Sequence, residues 1–419
     1  MRAAVVLAAV GILGACSSST ATESSTTSST AGPLTTTTSG TTTTTLEAIP
    51  VWVQAEVPHG DPALGGGDFM FAVVEFRGRL VAAGQVGVQP AVWVSDDGLT
   101  WTQVSDPDLE APQGKIRDLV VGGPELVAVG EAFTGESWAP RPAVWTSIDG
   151  LEWSRVPHEA DVFGFPEGGT IGTVAAGPGG LIAIGGEFMT VSGPTVWRSV
   201  DGLRWSRLPP NPDLVAINDL AAFSGSYVAV GANDEGAAVW LSSDGLEWSR
   251  AAVPTDDGAE PRQGMQAVTV TDRALIAVGS AAGPDRGVPA VWVSEDGTEW
   301  RRVSAADLEA SVPDLGYSQM WAVVTGEDEV IAVGWAWESD ADSAAVWRSP
   351  DGLTWSRDRA AALGGETGLF AATPFLGGIA VVGYDSSDGP FAAAWYIGPS
   401  TATVPTTSTP AAPQPTIVP

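Results

Sequence analysis

The chain has 419 residues and a formal charge of -31, from 50 acidic against 19 basic side chains; 44% of its residues are hydrophobic and 16% charged. Such a chain can bury a large core, and its acidic excess repels a polyanion, which excludes nucleic acid as a partner. One cysteine, Cys16, excludes an internal disulfide and any multi-cysteine zinc site, and two histidines, His59 and His158, leave little for histidine-rich metal ligation.

At the amino end, Arg2 precedes an apolar run from Ala3 to Leu13 that is too short to span a bilayer and has the form of an export signal. It ends in Leu13-Gly14-Ala15-Cys16, which resembles the lipobox of bacterial lipoprotein signals. That resemblance implies cleavage before Cys16 and lipid on its sulfur. Residues 1–15 are then a signal peptide, and the mature protein is held at the outer face of the cell membrane. The other reading is an ordinary signal followed by a stray cysteine. Residues 16–46 are Ser/Thr-rich and low in complexity, a flexible tether with a root-mean-square reach of about 30 Å. Residues 399–419 form a Pro/Thr-rich tail of the same character.

Between the tails, over residues 47–398, a repeat emerges. The stretch "AVWVSDDGLTW" from Ala91 to Trp101 returns in five close copies, whose first tryptophans are Trp145, Trp197, Trp240, Trp292 and Trp347. A seventh unit keeps Trp395 without the Asp-Gly segment. A second marker of the form "LVAVG" precedes each copy and ends at Gly84, Gly130, Gly185, Gly231, Gly279, Gly334 and Gly383. Seven units of roughly fifty residues signal a solenoid or a propeller. Each unit reads as four short strands, for example "IRDLVVG", "ELVAVG", "PAVWTS" and "LEWSRV", with the Asp-Gly turn joining the last two. A three-residue loop there would set Trp93 opposite Trp101, a cross-strand tryptophan pair in each blade.

The seventh unit lacks its fourth strand, and "VWVQAEV" from Val51 to Val57 resembles that strand with Trp52 in place of Trp101. A ring whose last blade is completed by the amino-terminal strand explains the swap and removes exposed edges. The expected fold is therefore all-β, a seven-bladed β-propeller of four-stranded blades. The motif S-x-D-G-x-x-W resembles the Asp-box of neuraminidase-type repeats, with the loop one residue shorter. That resemblance supports a four-stranded propeller blade and says little about activity. Signatures of the WD40 type are absent.

Fourteen of the eighteen tryptophans are taken up by the repeat, leaving Trp138, Trp321, Trp335 and Trp337. The turn aspartates Asp97, Asp149, Asp201, Asp244, Asp296 and Asp351 read as structural, each bonding backbone amides of its own turn. In propellers, ligands usually meet the face carrying the joining loops, and here those loops are long. The channel mouth is expected to gather Asp68, Arg117, Asp118, Thr170, Asn218, Asp219, Gln266, Tyr317, Gln319, Trp321 and Glu366. Carboxylates and amides with Tyr317 and Trp321 suit a sugar or a cation; the other reading is a solvated funnel on an acidic protein.

The reading is thus a monomeric, exported, lipid-anchored binding module for a surface protein or a glycan, without chemistry of its own and without an obligatory cofactor. The alternative is a glycoside hydrolase of the sialidase-like sort. Sialidases use an arginine triad, and only Arg117 begins an inner strand; a neutral-sugar hydrolase needs two carboxylates, which Asp118 with Asp219 or Glu366 could supply. Two acidic loops, "WESDADSAA" after Gly334 and "DSSDGP" after Gly383, could hold Ca²⁺ through oxygen ligands or stand as solvated loops.

Overall fold

The computed structural model describes residues 52–60, 66–110, 113–122, 125–135, 138–188, 193–254, 264–283, 286–304, 308, 317–338, 341–358, 363, 367–387 and 389–398. All of them belong to the unit 47–419. They form seven four-stranded antiparallel sheets, the blades of a β-propeller. Six blades follow the chain strand by strand. In the seventh, Trp52–Gln54 supplies the outer strand beside Phe391–Ile397, pairing Trp52 with Ile397 and Gln54 with Trp395, so the ring closes through the amino-terminal strand as the sequence predicts. The closure is clasped to blade six, where the Trp52 indole N–H and the Arg348 Nε both donate to Asp358 Oδ2, at 3.1 and 2.9 Å, and Arg348 also pairs with Glu329.

Each second strand carries the apolar marker because both of its faces are covered. Leu126, Val127, Ala128 and Val129 are at most 1% exposed, which accounts for a continuous apolar run in place of alternation. The buried side chains fall into seven clusters, each shared by two neighbouring blades. Hydrophobic burial therefore acts between blades, at roughly 25 cal/mol per Å², and leaves the ring's axis free for a channel. Two one-turn helices, Pro107–Glu110 and Ala160–Phe163, sit in joining segments. They bury Leu109 and Phe163 and supply carbonyls to core indoles, with Trp145 Nε1 donating to Asp108 O and Trp197 Nε1 to Val162 O.

The tryptophan pairing differs from the sequence expectation. Trp93 faces Gln103, Trp145 faces Arg155 and Trp197 faces Arg207; in the third blade the second tryptophan, Trp205, faces Ser199. The turn is longer than three residues because its aspartate gathers backbone amides beyond the glycine, so pairing resumes at the second tryptophan in the third blade and one residue after it in the other five. The two tryptophans of a blade still share one cluster, as Trp145 and Trp153 do. The arginines that follow the second tryptophans thereby lie across from core indoles, with the Arg155 guanidinium 5.9 Å from the Trp145 ring.

Candidate functional site: a ring of seven bulges around the channel

The seven inner strands are Phe69–Phe76, Gly114–Gly122, Gly169–Gly177, Ile217–Phe223, Gly264–Val270, Tyr317–Thr325 and Thr367–Phe375. Every one has a β-bulge at the same register. In the first, Met70 pairs with Gly84 and Ala72 with Ala83, leaving Phe71 as the extra residue. The equivalent residues are Arg117, Gly172, Asn218, Gln266, Trp321 and Phe370. The partner of each bulge is the glycine that ends the second-strand marker. A Cβ on Gly84 would lie 1.8 Å from Phe69 O, and one on Gly231 would lie 2.0 Å from Ala216 O, so only glycine lets the bulged strand come this close.

A bulge re-aims one side chain, and here all seven bulged residues line one cavity of about 770 Å³ on the ring axis. The repeat fixes their backbone and leaves their chemistry free. Blades six, seven and one contribute an aromatic arc of Trp321, Phe370 and Phe71. The Trp321 and Phe370 ring centroids are 6.1 Å apart and those of Phe370 and Phe71 5.3 Å apart. Tyr384 stacks behind Phe370 at 5.5 Å, and Phe69 lies 5.7 Å from Phe71. Trp321 is 38% exposed. Blades two to five supply Arg117, Asn218 and Gln266, with Asp118, Thr170, Thr173 and Asp219 beside them.

Asp118 and Asp219 follow their bulges directly and link blades. Each accepts its own strand's next amide, from Leu119 and Leu220, both at 2.7 Å, and an amide of the next blade, from Val174 and Val268, both at 2.8 Å. Thr173, buried between them, donates to Asp219 at 3.5 Å. Burial raises both carboxyls, that of Asp118 against the pull of its amide bonds; Asp219 is pushed up to about 7, by burial first and by the Asp118 charge second. Arg117 is held by Glu131, with Nε 3.3 Å from Oε2. Lys115 lies 3.2 Å from the same carboxylate, which is itself buried. The only lysine of the chain therefore helps to position the one described arginine that lines the cavity.

Of the residues expected at the mouth, Arg117, Asp118, Thr170, Asn218, Asp219, Gln266 and Trp321 come together around the cavity. Asp68 does not: it is 5% exposed and accepts the Gly60 and Gly87 amides at 2.7 and 3.0 Å, tying loops near the ring closure. Gln319 sits two residues before its bulge, half-buried and outside the lining. The backbone of Tyr317 pairs with Trp337 at the start of its strand, while Glu366 and Cys16 lie outside the described residues. The aromatic members Phe71 and Phe370, and Gly172 and Thr173, escape a reading that searches strand starts for polar types. Alignment of the units on the marker glycines would have found them.

The turn aspartates lie at the opposite end of the third and fourth strands. In Asp97, Asp149, Asp201, Asp244, Asp296 and Asp351 the carboxylate accepts the amides two and three residues on, at 2.7 to 3.2 Å. Those amide bonds are the largest cause of their lowered proton affinities, with Asp296 at about 2. The glycine after each aspartate has φ between 74° and 82°, as in Gly202 and Gly297. Among the described residues no three His, Cys, Asp or Glu side chains converge as a metal site. Residues 339–340 and 388 of the two acidic loops lie outside the description.

A family model agrees on architecture over part of the chain. Residues 175–373 match the family model of the DUF6242 beta propeller domain. No curated protein sequence matches. Among solved structures the chain is similar to the sialidase of Trypanosoma rangeli in complex with the inhibitor DANA, at 16% identity and a TM-score of 0.46 over 68% of this chain and 56% of that one. It is similar to a polysaccharide lyase of family PL25, an ulvan lyase, at 13% identity and a TM-score of 0.48 over 80% and 93% of the two chains. The WD40 beta propeller domain of Doa1 gives 12% identity and a TM-score of 0.48 over 83% and 97%. The chain thus spans little more than half of the sialidase's length, and none of these likenesses carries an activity across.

Proposed function

We propose that this chain is an exported, lipid-anchored binding module whose ligand enters the axial channel. The carrying observation is the ring of seven bulges: one backbone device, repeated in every blade, that displays six side chains of mixed chemistry and one glycine around a cavity of about 770 Å³. Cavities of roughly 300 to 1,000 Å³, lined by aromatic groups and a few polar ones, are the usual form of a small-ligand site. The anchor assignment rests on the lipobox-like Leu13-Gly14-Ala15-Cys16, and it predicts that Cys16→Ser releases the protein from membranes.

The channel assignment is tested at Gly172, a bulged residue where an added Cβ meets nothing nearer than 3.7 Å. Gly172→Trp plugs the cavity without entering any blade interface. In a thermal-shift screen of the full chain against glycans and peptides, ligands that stabilise the wild type should lose at least tenfold in affinity with this variant. Unchanged binding would move the site elsewhere. A hydrolytic reading attaches to Asp118 and Asp219, the two channel carboxyls that hold their protons longest. Against it, all four of their oxygens already accept a backbone amide, an arrangement that joins blades. Glycoside turnover abolished in Asp219→Asn with binding retained would favour it.

A further inference from the structure

Resting on the reading of the channel as the ligand site, the distribution of chemistry around the seven bulges narrows what can fill it. At their bulges three adjacent blades offer aromatic rings, Trp321 edge to face with Phe370 at 77° and Phe370 tilted 46° to Phe71, and Trp321 is the ring of the three that is exposed. The facing blades offer carboxamides. Asn218 spends one N–H on Met265 O at 2.7 Å and keeps its remaining donor and acceptor for the channel. The Gln266 side chain makes no hydrogen bond among the described residues and lines the same wall. A carboxamide donates and accepts within one group, which matches a hydroxyl that does the same.

Charge excludes the other classes. The guanidinium of Arg117 is already engaged by Glu131, a carboxylate it shares with Lys115, and the wall also carries Asp118 and Asp219, so an anion would meet one partly engaged guanidinium beside two carboxyls that hold their own backbone amides. A cation is served no better, because Arg117 lies 5.9 Å from the Phe71 ring at the edge of the arc and every oxygen of the two carboxyls already accepts an amide. What remains is a neutral molecule with an apolar face and a polar edge.

We propose that the channel binds a neutral saccharide, seating the C–H face of a pyranose on one ring of the arc, Trp321, with Phe370 and Phe71 walling its side, and its hydroxyls on Asn218 and Gln266. Binding is expected to be selective for uncharged sugars and to depend on both arcs together, since an aromatic platform alone sets no hydroxyl pattern.

The test uses the full chain with lactose, cellobiose, maltotriose, sialyllactose and choline as probes, followed by calorimetry and by tryptophan emission. At least one neutral sugar should bind, with sialyllactose at least tenfold weaker than lactose if lactose is the binder. Trp321→Ala, Phe370→Ala and the double variant Asn218→Ala with Gln266→Ala should each weaken it tenfold or more. Trp321→Phe should keep calorimetric binding and lose the emission change. Choline or sialyllactose binding more tightly than every neutral sugar, or neutral-sugar binding indifferent to Trp321 and Phe370, would overturn the saccharide assignment. So would silence across the panel. If a binder of the wrong class is still blocked by Gly172→Trp, the channel stands as the site and only its ligand class is wrong; if Gly172→Trp blocks nothing, the channel reading fails with it.

Discussion

The two ends of a blade treat repetition in opposite ways. At the Asp-Gly turns both backbone and side chains recur: six aspartates accept the same two amides, and five serine hydroxyls, from Ser95 to Ser294, accept the amide of the turn glycine at 2.8 to 2.9 Å. At the inner-strand bulges only the backbone recurs, and the seven displayed residues run from glycine to tryptophan. Where a repeat holds its side chains constant they serve the hairpin, and a structural need common to every blade explains them. Where it holds only the backbone constant, the fold supplies a frame and the side chains are free to serve something outside it. The difference teaches where to look for function in a repeated fold.

That contrast can be broken most severely at the frame itself. Gly231→Ala places a methyl group against Ala216 O, 2.0 Å from an ideal Cβ, so the bulge must open or the strand pair must part. The expected loss is about 3 kcal/mol or more, read as a lowered denaturation midpoint; a loss below about 1 kcal/mol would show that the bulge relaxes freely.

A smaller effect is expected where displayed and structural roles meet. Asp219 accepts amides through both oxygens, from Leu220 and Val268, so Asp219→Asn must turn one N–H toward another donor, at a cost of about 1 to 3 kcal/mol. Its pH signature is separate. A carboxyl raised to about 7 in the folded chain binds more protons folded than unfolded between about pH 4 and pH 7. Stability from this group therefore falls as pH rises through that window and is level above it. The variant should lack that slope, and an unchanged pH profile would remove Asp219 as its source.

The smallest effect belongs to a single turn. Asp149→Ala removes acceptors for the Leu151 and Glu152 amides in an exposed hairpin and should cost about 1 kcal/mol or less. The sign of its pH dependence is opposite to that of Asp219. A carboxylate whose folded proton affinity is lowered stabilises above its ordinary range, and that contribution is lost as pH falls through the folded value. Wild type and variant should converge in stability on acidification below about pH 4, and a gap that persists there would assign the loss to packing.

Much of this architecture is legible in the chain alone. The marker "LVAVG" reads as a buried strand, the Asp-Gly copies read as hairpins, and the missing fourth strand after Trp395 together with "VWVQAEV" at the amino end predicts closure. The register of the tryptophans is not legible, because it depends on how many amides the turn aspartate collects, a matter of a few ångströms of backbone geometry. The channel lining is legible in part. Polar residues at inner-strand starts stand out, and seven of the expected eleven line the cavity, yet Phe71 and Phe370 read as ordinary core.

What the sequence determines by itself is local and repetitive: strand lengths, turn chemistry, the number of blades and the glycines that face each bulge. Those features follow from backbone sterics and hydrogen bonding within one unit, and every unit states them again. What only the tertiary structure decides is which residues from different blades meet. One of the two amides that fix Asp118, and one of the two that fix Asp219, come from the next blade, and the aromatic arc assembles from the first, sixth and seventh blades, Phe71 meeting Phe370 across the ring closure. The sequence predicts that the ring closes and the first blade meets the last, yet which side chains then face one another depends on where each bulge turns its residue, and no local pattern encodes that.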